Sequence, residues 1–151
     1  VTDRSETPTK KIVMTHTHST PIDAPFDDVG PEVTTALQDE GFGILSEIDV
    51  ETTVKKKLDV DINQYQILGA CNPQLAHEGL VEEPELEALL PCNGIVYETE
   101  DGDVVASAVD PQQLLSVTDN PALDFVADDV FDQFERVISA VDEVFETVSE
   151  A

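Results

Sequence analysis

Residues 65–97 read YQILGACNPQLAHEGLVEEPELEALLPCNGIVY, and the chain is organised around this stretch. Tyr65–Cys71 is a short apolar run without a breaker, which predicts a strand with Tyr65, Ile67, Gly69 and Cys71 on one face. Asn72-Pro73 then pairs a capping side chain with a residue whose missing N–H costs nothing in a first helical turn, so a short helix starts directly after Cys71. Glu83-Pro84 repeats part of that device ahead of Leu86, Leu89 and Leu90. Cys92 opens the next strand, through Ile95, Val96 and Tyr97. Glu100-Asp101-Gly102-Asp103 is a hairpin turn, and Val104–Val109 is the returning strand.

Upstream, residues 1–13 are polar and aperiodic and read as a disordered leader, with Met14 as a natural start. The domain then spans 14–148. Met14–Ile22 alternates, with His16 and His18 on one face, and Pro21 confines this strand to an edge or an end. A helix begins at Pro31 with the stripe Val33, Ala36 and Leu37, and Gly41 stops it. Phe42–Val50 is expected as a strand with Ile44, Ile48 and Val50 together on one face, and Thr53–Leu58 as a short helix carrying Lys55, Lys56 and Lys57. Downstream, Asp110-Pro111 with Gln113 starts a short helix. Asn120-Pro121 starts the longest one. Its stripe of Val126, Val130, Phe134, Val137, Val141, Val144 and Val148 steps by three or four residues, as one helix face must, and Phe131, Ile138 and Phe145 widen it. The sum is an α+β domain, an antiparallel sheet with helices on one face.

Charge sets the habitat. Asp and Glu number 33 against 7 Lys and Arg, for a net charge of −26 over 151 residues. Such a charge opposes compaction in dilute buffer. At molar salt the screening length falls to about 3 Å and the repulsion largely vanishes. The acids are dispersed rather than blocked, which points to a halophilic archaeal source rather than an acidic tail. The same charge disfavours nucleic acid and anionic membranes as partners. With no run long enough to span a bilayer and no signal-like leader, a cytoplasmic location is expected.

The chemistry-bearing residues cluster near the opening stretch. Cys71 precedes a helix N-terminus, where unpaired amides favour a thiolate and lower the thiol pKa. If the two strands are antiparallel neighbours, Cys92 faces Cys71, and the mirror-image pair Cys-Asn-Pro and Pro-Cys-Asn places Asn72 and Asn93 in a shared pocket. Free cysteines that only fill core space are the plain alternative. His77 lies about a turn and a half beyond Cys71, so Cys71, His77 and Cys92 form a possible zinc or copper set. Nucleophilic catalysis would use Cys71 with His77 as base and Asp49 or Glu78 as orienting acid. No Gly-rich phosphate loop follows a strand, so nucleotide binding has no support.

The motifs GACNP at 69–73, LAH at 75–77, LLPCN at 89–93, SAVDP at 107–111 and DEGFGILSEID at 39–49 resemble domain-of-unknown-function family 302 over residues 14–145. The resemblance implies a TATA-binding-protein-like β-α-β(4)-α arrangement and a homodimer. The family positions it carries onto this chain are Asp49, Cys71, Asn72, Pro73, His77, Pro91, Cys92 and Asn93. Gly94 departs from it, standing where a β-branched residue is usual. Three functional readings follow. One is thiol, sulfur or redox chemistry at a Cys71/Cys92 pocket. Another is a non-enzymatic homodimeric module binding a metal or small ligand, and a third is a dimer in which these residues simply pack.

Overall fold

The computed structural model describes residues 16–150, the last four by backbone alone. The expected leader, Met14 and the Val148 side chain lie outside the described residues. Five strands are present: β1 (Thr17–Ile22), β2 (Gly43–Asp49), β3 (Tyr65–Cys71), β4 (Cys92–Glu98) and β5 (Val104–Val109). They form one antiparallel sheet in the order β1-β5-β4-β3-β2. The helices are α1 (Phe26–Asp39), α2 (Val50–Leu58), α3 (Pro73–Glu82), α4 (Pro111–Ser116) and α5 (Asp124–Glu150). This is the expected α+β class.

Buried side chains of α1, α3, α4 and α5 share one cluster with Leu68, Ala70, Cys92, Val96, Val104, Ala106 and Ala108. These helices therefore cover the same face of the sheet. Val126, Val130, Phe134, Val137 and Val141 of α5 are buried as their spacing requires, whereas Val144 is exposed. Phe134 stacks on Phe42 with ring centroids 5.0 Å apart. Full burial of a side chain of this size is worth roughly 2–3 kcal/mol over leaving it exposed. β1 lies at an edge, in keeping with Pro21.

Three local expectations are corrected. α1 begins at Phe26, ahead of Pro31, and keeps that proline inside the helix. Burial of Val29 and Gly30 against the sheet extends the helix N-terminally, and tertiary packing outweighs the missing N–H. β2 carries a bulge between Ile44 and Ser46. The extra residue reverses the alternation, so Ile44 pairs with the inward Ala70 while Ile48 pairs with Ile67 on the opposite face. Glu85–Leu90 contains only a single 3-10 turn, Leu86–Leu89, and a second such turn, Pro121–Leu123, leads into α5.

Candidate functional site

Register separates the two cysteines. Cys92 pairs with Ala70 and Gly69 with Asn93, which leaves Cys71 one residue out of step with Cys92. Cys92 points with Ala70 into the core, and Cys71, the last residue of β3, is not its cross-strand partner. The two cysteines are therefore offset by one residue across this ladder rather than directly opposed. Both residues are free thiols and border a narrow apolar slot between the sheet, α3 and α5, lined also by Leu75, Leu86, Leu90, Leu115 and Val130. Burial pushes the Cys92 thiol up to about 12, with Cys71 a smaller cause. Burial likewise raises the Cys71 thiol, helped by the Glu87 carboxylate. The lowered thiol expected from the α3 N-terminus is thus reversed. The α3 amides already have a partner: the Asn72 side chain accepts from Leu75 N–H at 3.3 Å, and its amide reaches Gln133 Oε1 at 3.4 Å.

The other site residues disperse. His77 is exposed, because the inward face of α3 is set by Leu75 and Gly79. Asp49 pairs with Gln66, five residues along β3 from Cys71, a separation of roughly 17 Å. Its carboxylate caps α2, accepting from the Thr52 N–H and hydroxyl at 2.9 Å each. Those bonds hold its pKa below the ordinary value. Asn93 is exposed on the face away from the helices, and Asn72 serves as a cap, so they line no common pocket. Among the described residues no group of three or more His, Cys, Asp and Glu side chains is placed to hold a metal ion. Cys71, His77 and Cys92 are thus not gathered into such a group, and Asp49 stands at the far end of β3 from Cys71.

Two features escaped sequence reasoning. His18 lies inward on β1 with Nδ1 3.0 Å from Glu135 and Nε2 3.4 Å from Asp110, its ring edge-on to Phe131. Asp110 spends its other oxygen on the Gln112 and Gln113 N–H groups at the start of α4. This cluster ties β1, α4 and α5 together. Its signal was the alternation of β1, which marks His18 as inward once the sheet order is known.

The second feature is the sheet face left bare of helices. It carries Thr17, Ser19 and Pro21 from β1, Val109 with the buried Val105 and Ser107 from β5, and Asn93, Ile95 and Tyr97 from β4. β3 adds Tyr65, Ile67 and Gly69, and β2 adds Gly43, Ser46 and Ile48. None of these side chains is charged, in a chain where a quarter of residues are. Ser19 and Ser107 share a 2.7 Å hydrogen bond. Tyr65 and Tyr97 stack at 5.5 Å, and burial beside Tyr65 keeps the Tyr97 phenol protonated to higher pH than usual.

Residues 18–141 match the family described as Domain of unknown function DUF302. The chain belongs to this family. A crystal structure of an uncharacterized conserved DUF302 protein from Bacillus stearothermophilus superposes with a TM-score of 0.79 at 24% identity, covering 85% of this chain and 99% of that one. At that identity the likeness speaks for the shared fold. No curated protein matches the chain. No described helix of this DUF302 chain is long and apolar enough to cross a membrane.

Proposed function

We propose that this DUF302 protein is a non-enzymatic homodimeric module, joined through the helix-free face of its sheet, in a cytoplasm of high salt. The observation that carries the reading is the uncharged sheet face. Two chains of net charge −26 approach each other only where neither presents a carboxylate. The sheet edges are poorly suited to pairing: β1 carries Pro21, and β2 carries a bulge with Glu47 and Asp49 beside it. The thiol reading has less support, since burial raises both thiols and so disfavours the reactive thiolate.

Ile95 lies at the middle of the face, paired with Ile67 and Ser107. Sedimentation equilibrium of the full chain in molar salt is expected to give a dimer, and Ile95→Glu a folded monomer. A wild-type monomer at every accessible concentration, or an Ile95→Glu dimer as tight as wild type, refutes the reading.

A further inference from the structure

Helix α2 packs little yet is built with care. None of its residues is buried. An isolated helix of nine residues is marginal in water, so local devices hold this one: Asp49 caps its start, and Asp59, in the left-handed region at φ 56°, returns its N–H to the Lys55 carbonyl. Around it lie Leu58, Val60 and Ile62, 69%, 47% and 37% exposed. Neighbouring β2 adds exposed Leu45 and Ile48.

Charge distinguishes this segment as well. Lys55 is held by Asp59 at 3.1 Å and Asp61 at 3.2 Å. Lys56 and Lys57 make no ion pair among the described residues. Lys55, Lys56 and Lys57 balance Glu51, Asp59 and Asp61, so residues 50–62 are formally neutral while the chain as a whole carries −26.

We infer that residues 50–62, with Lys56 and Lys57 at their centre, form an arm that docks on the acidic surface of the second copy and completes the dimer. The inference rests on the sheet-face dimer proposed above. Two arguments choose the occupant. First, five strands about 4.8 Å apart and about six residues long make a plate of roughly 480 Å², below the ~800 Å² per partner of a standard interface even after allowing for corrugation. A sheet-face dimer therefore needs further area. Ile48 belongs to the bare face and adjoins the arm in sequence, so the two surfaces are continuous. Second, Lys56 and Lys57 complement an acid-rich surface, and a second copy of net charge −26 supplies one outside its uncharged sheet face and its own arm.

The test uses the full chain in molar salt and again at the lowest salt that leaves the circular dichroism unchanged. Lys56→Glu with Lys57→Glu is expected to weaken the dimer by about tenfold, more at the lower salt, where screening is less. Leu58→Ser with Val60→Ser, in side chains that support no core, is expected to weaken it independently of salt. Carbodiimide coupling in dimers mixed from light and heavy isotopes should join Lys56 or Lys57 to a carboxylate of the other copy. If Ile95→Glu dissociates the dimer but both arm variants bind as wild type, or coupling stays within one copy, the arm is refuted and the sheet face stands. If Ile95→Glu leaves the dimer intact, the sheet face itself fails, and the arm with it.

Discussion

Cys92 should be nearly inert toward a disulfide reagent while the protein is folded. Its thiol is 8% exposed and titrates near 12. At pH 8 a thiol with pKa 8.5 is about one quarter thiolate, whereas one at 12 is about one part in ten thousand, a loss of roughly 2,000-fold. A more basic thiolate is the better nucleophile, and a Brønsted slope near 0.45 over 3.5 pH units returns roughly 40-fold. Ionisation alone thus leaves Cys92 about 60-fold slower than a free thiol, and closure of the slot by Leu75, Leu86 and Leu90 slows it further. Thiol release from an aromatic disulfide, followed with intact mass, measures the two sites separately. Cys71, half-buried, should react first, with a rate still climbing above pH 9 because its pKa is also raised. Cys92 should react only on denaturation. Equal rates at Cys71 and Cys92 in the folded chain would refute this reasoning.

Two further perturbations probe the scaffold. A Cβ at Gly69 would meet the Ser46 hydroxyl and come within 3.1 Å of the Pro91 ring. Gly69→Ala should therefore cost about 1–3 kcal/mol in urea unfolding, part of it recovered in the double variant with Ser46→Ala; an unchanged midpoint would show that these side chains yield freely. Asp49→Ala removes the α2 cap, worth about 1 kcal/mol. Because α2 buries nothing, the loss should appear as roughly fivefold faster amide exchange in α2 with little change in the global midpoint. The sign with pH follows from the lowered Asp49 carboxyl: its contribution is present above the unfolded-state value and is lost as pH falls through the folded one, so wild type should converge on the variant in acid. Convergence at neutral pH would mean that the cap contributes nothing.

Local signals in the chain carried most of the architecture. Asn72-Pro73 and Asp110-Pro111 are caps whose chemistry acts over three residues, and both helices start where those pairs stand. The period of Val126 to Val141 marks the buried side of α5, and the turn at Gly102 (φ 89°) fixes the β4–β5 hairpin. The five family motifs pointed to DUF302 because they depend only on residue order. The candidate site was not legible in the same way, since contact across a sheet depends on register. A shift of one residue changes which side chains are partners, and Cys92 stands opposite Ala70 rather than Cys71. The bulge at Leu45 turned Ile48 outward for the same reason, and no local propensity of that strand encodes it. The uncharged face likewise exists only after β1, β2, β3, β4 and β5 are aligned, because its residues come from five separated segments. Composition determined that the surface must be acidic; tertiary structure decided where it is not.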